Sequence, residues 1–259
     1  MLFIGEIGIN HNGSLDVALE LIRKAKECGV DVVKFQKRNP DVCVPEDQKL
    51  KPRKFGGKDM TYIEYKHLLE FGKSEYDAIN AFCKDIGIKW TASVWDVDSV
   101  HFMSAYKDDI PFIKIPSACI TDMELLDAVN SMGVPVIVSN GMSTQEEVDR
   151  AVTRLASLMG ILHCNSSYPA KEDELDLNVI TSYKHKYDTL VGYSGHEAGL
   201  LPTIVAASIG ADIIERHITL DKNMEGTDHK ASLDINELER LVELISRVLI
   251  IKGRPYSSV

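Results

Sequence analysis

The sequence predicts one (β/α)8 barrel, a TIM barrel spanning residues 1–259 as a single domain. Three observations carry that expectation. Short β-branched runs recur eight times, they alternate with longer segments of helical period, and each run closes on polar, ionisable or thiol side chains. Alternation of this kind specifies parallel strands joined by helical crossovers, and eight units in about 250 residues favour a closed ring over an open sheet.

Taken in order, "LFIGEI" closes on Glu6 and "DVVKFQ" buries Lys34 in an apolar run. The stretch 37–73 then exceeds a normal connection and holds "KLKPRKFGGKDMTYIEYKHLLEFG", the expectation for a long active-site loop. Its Lys49, Lys51, Arg53, Lys54 and Lys58 are read either as an anion-steering surface or as a solvated face. "KWTASVW" carries Ser93, "PFIKIP" carries Lys114, and "VPVIVS" ends at Ser139. "GILHCN" leads into Cys164, Asn165 and Ser166, "TLVGYS" ends at Ser194 with His196 just beyond, and "DIIERHI" places Glu215 and His217. Between them, Thr121 with Glu124, Thr144 with Glu147 and Asp234 with Glu237 have capping-box spacing, while Gly29, Gly87 and Gly133 follow helical stretches as C-terminal caps.

The C-terminal ends of barrel strands are where such folds build their sites. Serines at strand ends are common for packing reasons alone. Lys34 in "VVKF" and Lys114 in "FIKI" are not, because an ammonium in an apolar run demands a counter-charge.

Composition narrows the function classes. A formal charge of −10 and a pI near 5.3 exclude a sequence-blind nucleic-acid binder, whose affinity comes from Lys and Arg on phosphates. No run reaches the roughly 20 apolar residues of a membrane span, and the N-terminus lacks a secretory pattern, so a cytoplasmic protein is expected. Cys28, Cys43, Cys83, Cys119 and Cys164 are odd in number and without CxxC spacing, which reads as free thiols.

In a strand, residues i and i+2 share a face, so Glu215 and His217 point one way and Arg216 the other. His196, just past the preceding strand in "GYSGHEAG", brings a second imidazole to the same end. Two imidazoles with a carboxylate beside them suit a divalent metal, and equally two hydrogen-bonded core histidines. "GTDHKAS" adds Asp228 and His229, either to cap a substrate or to satisfy a turn.

Across nearly the whole chain, "GEIGINHNGS", "VVKFQ", "FIKIPSA", "VIVSNGMST", "LHCNSSYPA", "YSGH", "IIERHIT" and "GTDHKAS" resemble, in order and spacing, the catalytic barrel of the sialic acid synthase family. That family includes N-acetylneuraminate synthase and its legionaminate and pseudaminate relatives. The resemblance implies metal-dependent condensation of phosphoenolpyruvate with an N-acetylhexosamine-type aldehyde, N-acetylmannosamine or a derivative, to a nonulosonic acid and phosphate. It further implies a divalent ion on His196 and His217, Mn2+ first and Mg2+ or Co2+ next, with Glu6, Glu215 and His217 as catalytic groups. Lys34, Ser93, Lys114, Ser117, Ser139, Ser166 and Ser194 would surround phosphoenolpyruvate, which would supply the counter-charge for the buried lysines; Glu6, Tyr168 and Asp228 would meet the sugar.

The departures from the family pattern lie on the sugar side. The sequence closes at "GRPYSSV" soon after the eighth helix, so the family's C-terminal antifreeze-like domain, and the arginine it presents, are expected to be missing or supplied by a separate polypeptide. A homodimer is the other partnership implied. Ser166 stands where sialic acid synthases often have Asn, and the long loop has no clear match to the family's sugar-binding Asn. Two further readings stay open: a degenerate barrel that binds phosphoenolpyruvate or a sugar phosphate without turnover, and a synthase of a shorter 3-deoxy-2-keto sugar acid.

Overall fold

A computed structural model of the chain describes residues 1–253 and holds the expected closed barrel of eight parallel strands; 254–259, the end of "GRPYSSV", lie outside the described residues. The barrel strands are Leu2–Gly8, Val32–Lys37, Lys89–Val94, Ile113–Ile115, Val136–Ser139, Leu158–Cys164, Leu190–Gly195 and Ile213–His217, each paired to its sequence neighbour, with the first closing on the eighth. A principal helix follows each, from Leu15–Glu27 after the first strand to Ile235–Lys252 after the eighth.

Two apolar layers hold the ring. Outward-facing residues such as Phe3, Ile7, Val33, Trp90, Val138 and Ile214 pack under the helices. A smaller plug of Ile4, Val32, Phe112, Ile137, Leu162 and Ile213 fills the inside of the barrel. Two positions further along each of those strands, on the same face, stand Glu6, Lys34, Lys114, Ser139, Cys164 and Glu215. The barrel interior therefore changes from hydrocarbon to charge within one side-chain layer, and the strand alternation alone accounts for the change.

Thr144 with Glu147 and Asp234 with Glu237 close reciprocal caps as expected. Gly29, Gly87 and Gly133 take left-handed conformations after their helices. The expected Thr121–Glu124 box is displaced by one residue: Asp122 caps Met123–Met132, accepting from the Leu125 N–H at 3.0 Å. Both Thr and Asp are good caps, and the helix starts where the second of them can accept.

The stretch between the second barrel strand and the helix Lys73–Ile86 is structured. It contains the helices Pro40–Cys43, Glu46–Lys49 and Tyr62–Leu69 and an antiparallel hairpin, Pro52–Phe55 with Lys58–Thr61. Phe55, Tyr65 and Leu69 bury themselves against Ile9 of the first strand's loop. His11 stacks on Phe71 at 3.9 Å, and the Gly56 N–H donates to Glu225 Oε2 at 2.8 Å, joining the insertion to the loop after the eighth strand. No helix among the described residues is long and apolar enough to cross a membrane.

Candidate active site

A cavity of about 180 Å3 opens at the C-terminal end of the barrel, lined by residues that the strands deliver in register. Glu6 lies level with His217 on one side and Lys34 on the other; Ser93 lies level with Lys114, and Glu215 with Ser194. Glu6, Lys34, Ser93, Lys114, Ser117, Ser139, Ser166, Tyr168, Ser194, His196, Glu215 and His217 all face it.

Lys34 sits between two carboxylates. Its Nζ is 2.7 Å from Glu6 Oε2 and 3.7 Å from Glu215 Oε2, with all three side chains almost fully buried. This corrects the expectation that a ligand must supply its counter-charge, since the protein does so from the two neighbouring strands. Lys114 fits that expectation better: Nζ donates to Ser139 Oγ at 2.6 Å and to the Ile115 carbonyl at 3.3 Å, both neutral partners.

The electrostatics divide the two carboxylates. Burial drives the Glu6 carboxyl up to about 7, against Lys34 beside it and with help from Glu215. Burial would raise Glu215 as well, but Lys34 and Lys114 outweigh it, and Ser194 Oγ donates to Glu215 Oε1 at 2.9 Å, so this carboxyl is held down at about 2. Two acids on adjacent strands are thus set for different states, one ionised and one able to exchange a proton near neutrality. Lys34 is raised because Glu215 and Glu6 overcome its burial, whereas Lys114 is lowered by its burial.

The imidazoles converge with ring centroids 5.6 Å apart. Burial, reinforced by His217, brings His196 down to about 4, and burial lowers His217 too, so both are neutral. His196 Nδ1 lies 2.6 Å from the Asn165 carbonyl, which fixes that nitrogen as the N–H and leaves Nε2 to accept from the Tyr168 hydroxyl at 2.9 Å. His217 Nδ1 is buried with no hydrogen-bond partner among the described residues. Neutral rings and an unused buried nitrogen are the donor set a divalent ion needs. Among the described residues no group of three or more His, Cys, Asp or Glu is placed to hold a metal ion, so His196 and His217 are the two protein residues that would hold one here.

Opposite the imidazoles, Ser117 Oγ accepts from the Gly141 N–H at 2.9 Å and lies 3.1 Å from Cys164 Sγ. A Cβ on Gly141 would fall 2.3 Å from Ser166 Oγ, 2.7 Å from Cys164 Sγ and 2.8 Å from Ser117 Oγ. Only a glycine leaves this cluster of hydroxyls and backbone open.

Some expected residues stand elsewhere. Asp228 is absent from the cavity wall, although its charge acts on His217 and Tyr168. His229 is a turn residue, with Nδ1 2.8 Å from Thr219 Oγ1 and Nε2 3.3 Å from Asn12 Oδ1. Lys49, Lys51, Arg53, Lys54 and Lys58 do not line the cavity; Lys49 pairs with Glu46, and Arg53 lies over the Tyr65 ring. Conversely, the sequence reading missed Gln36, whose Nε2 donates to Glu6 Oε1 at 3.1 Å, although its place two residues after Lys34 was the signal. It also missed Glu197, which takes the outward Arg216 in a buried ion pair of 2.9 Å.

The model of the NeuB family matches residues 21–256. The chain is 38% identical to the N-acetylneuraminate-9-phosphate synthase of Mus musculus, over 97% of this chain and 71% of that protein. It is 33% identical to the N,N'-diacetyllegionaminic acid synthase of Legionella pneumophila, over 93% and 70%. Among solved structures, the N-acetylneuraminic acid synthetase of Leptospira borgpetersenii serovar Hardjo-bovis, in complex with citrate, superposes with a TM-score of 0.91 at 30% identity, covering 100% of this chain and 87% of that one.

Proposed function

The chain belongs to the NeuB family and is a sialic-acid-type synthase, and from that premise and the cavity we propose that it joins phosphoenolpyruvate to the open-chain aldehyde of N-acetylmannosamine or a derivative. The products are a nonulosonic acid and inorganic phosphate. The observation that carries the proposal is Lys34 between Glu6 and Glu215: a fixed cation flanked by one carboxyl near 7 and one near 2 suits proton transfer beside an anion. A binder without turnover has no use for that difference.

In this reading, Lys34, Lys114, Ser93, Ser139 and Ser194 hold the carboxylate and phosphate of the donor by charge-assisted and hydroxyl bonds. Ser117, Ser166 and the Gly141 backbone close the other wall. A divalent ion on His196 and His217, when bound, supplies Lewis-acid polarisation of the aldehyde. As donor C3 bonds to the aldehyde carbon, the aldehyde oxygen takes the Glu6 proton and becomes a hydroxyl. Glu6, now a carboxylate, takes a proton from the water that adds at the cationic C2 and is restored. The C2 hydroxyl then gives its proton to the departing phosphate as the C–O bond breaks, leaving the 2-keto acid. Glu215 stays ionised and keeps Lys34 in place.

Phosphate release from phosphoenolpyruvate with Mn2+ and a panel of N-acetylhexosamines tests the proposal. Sugar-dependent release is expected. Binding of phosphoenolpyruvate with no release from any sugar would replace it with the binder, and release only with shorter phosphorylated aldoses would replace it with a 3-deoxy-2-keto acid synthase.

A further inference from the structure

We infer that Arg38 is a positioning residue for the condensation: it fixes the side-chain amide of Gln36 so that the nitrogen, and not the oxygen, faces Glu6. The inference rests on the reaction proposed above, in which Glu6 gives a proton to the aldehyde oxygen and recovers one from water.

The geometry is a short relay. Glu6 divides its two oxygens, with Oε2 lying 2.7 Å from Lys34 Nζ and Oε1 accepting from Gln36 Nε2 at 3.1 Å. The Arg38 guanidinium in turn donates through Nη2 to Gln36 Oε1. Lys34, Gln36 and Arg38 are spaced by two along the second strand and its first residue beyond, which brings them to one side. The bond from Gln36 to Glu6 is also sheltered. The first strand shifts register between Glu6 and Gly8, and a Cβ on Gly8 would fall 3.1 Å from both Gln36 Nε2 and Glu6 Oε1.

Arg38 is itself held. Its guanidinium lies 4.5 Å over the ring of Trp95, a cavity residue, and its backbone N–H donates to Glu70 Oε1 at 3.0 Å. Glu70 does not set the direction of the guanidinium: that carboxylate accepts from Lys37 Nζ at 2.8 Å and stands 3.9 Å from Arg38 Nε, beyond hydrogen-bond reach. Among the described residues, the hydrogen bond that the guanidinium does make is the one to Gln36. Packing on Trp95 would be served by an apolar chain as well.

The two ends of an amide have nearly the same shape and opposite hydrogen-bond roles. While Glu6 is a carboxylate it only accepts, and it selects the Gln36 nitrogen unaided. Once it carries its proton it can donate, and an unrestrained amide can turn its oxygen to take that donation. The proton would then point at Gln36 and away from the aldehyde. A guanidinium carries donors and no acceptor, so it keeps the amide oxygen on its own side in both states. An ammonium beside Oε2 leaves Oε1 as the oxygen that carries the proton. The Gln36 nitrogen occupies one side of Oε1 and leaves the other to the substrate.

Arg38→Met keeps a chain against Trp95 and removes the donors, whereas Arg38→Lys keeps a donor. Single-turnover phosphate release from phosphoenolpyruvate, with saturating acceptor, is expected to slow about 10-fold or more in Arg38→Met and to recover in Arg38→Lys, while calorimetric affinity for phosphoenolpyruvate holds in both. In a Gln36→Met background, Arg38→Met should slow the reaction no further. An Arg38→Met rate equal to wild type, an equal loss with and without Gln36, or a loss carried by phosphoenolpyruvate affinity overturns the inference. A second readout needs no turnover. The Gln36 side-chain amide, identified in nitrogen-15 NMR spectra by its absence from Gln36→Met, should exchange its hydrogens at least about 10-fold faster in Arg38→Met and near the wild-type rate in Arg38→Lys. Unchanged exchange in Arg38→Met overturns the inference too. Faster exchange in that variant, in a protein that releases phosphate with no sugar, would remove the proposed activity and keep Arg38 as the residue that orients Gln36.

Discussion

Lys34 and Glu6 form an ion pair of 2.7 Å inside the barrel, joining the second strand to the first. An ion pair in that position costs desolvation on both sides, and it is kept company by Glu215 at 3.7 Å. The arrangement leaves Glu6 as the group able to change its charge near neutral pH.

The Glu6 carboxyl should therefore titrate at about 7 in the folded protein, from an ordinary value of 4.5. Because the folded value is raised, its contribution to stability is complete below pH 4.5 and is lost as pH rises through 7. Carbon-13 NMR of labelled glutamates should show one resonance moving near pH 7, missing in Glu6→Gln, and that variant should show a flatter dependence of unfolding free energy between those limits. A wild-type spectrum with no glutamate titrating above pH 6 would remove Glu6 from the proton-transfer role.

Among the described residues Lys114 has no carboxylate within ion-pair distance, so its charge is available to an anion. Lys114→Ala should raise the phosphoenolpyruvate KM about 10-fold to 100-fold and lower kcat, the loss of one charge-assisted bond. Unchanged constants in a phosphate-release assay would take it out of the donor site.

Gly141 can be replaced only by pushing a carbon into three neighbours at 2.3 to 2.8 Å. Gly141→Ala should fold, since the crowding is at the cavity and not in the hydrocarbon core, yet bind phosphoenolpyruvate at least about 10-fold more weakly. Titration calorimetry beside circular dichroism separates these outcomes, and full binding by the variant would mean the wall is not a ligand wall.

Arg216 and Glu197 tie the two imidazole-bearing segments together behind the cavity. Tyr193 and Thr203 hydroxyls donate to Glu197 at 2.8 and 2.7 Å, and Arg216 also donates to the Gly199 and Glu197 carbonyls at 3.0 and 2.8 Å. Arg216→Met strands a buried carboxylate and should cost about 3–5 kcal/mol in urea unfolding, while Arg216→Met with Glu197→Gln should recover much of that loss. Equal destabilisation in the single and double variants would show that the packing of Arg216, not its charge, is what matters.

His217 offers the unused buried nitrogen and His196 the fixed tautomer. His217→Ala should abolish high-affinity Mn2+ binding followed by electron paramagnetic resonance, and a chelator should suppress wild-type turnover. Activity that survives chelation would refute the metal role.

The sequence by itself determined the barrel and the polar face at its strand ends. Strand period is two, so Ile4 and Glu6, Val32 and Lys34, or Ile213 and Glu215 had to share a face, and the apolar plug and the charged layer above it were both legible. Which charges meet across the ring was not legible. Lys34 gains its carboxylates from the first and eighth strands, and Arg216 gains Glu197 from the loop after the seventh, because strand register and loop closure bring together residues far apart in the chain. The same holds for Arg53 and Lys66, which look like ordinary loop charges until the insertion folds and both come to lie over the Tyr65 ring. Local period fixes the direction in which a side chain points. Desolvation and pairing energies depend on neighbours that only the closed tertiary structure supplies.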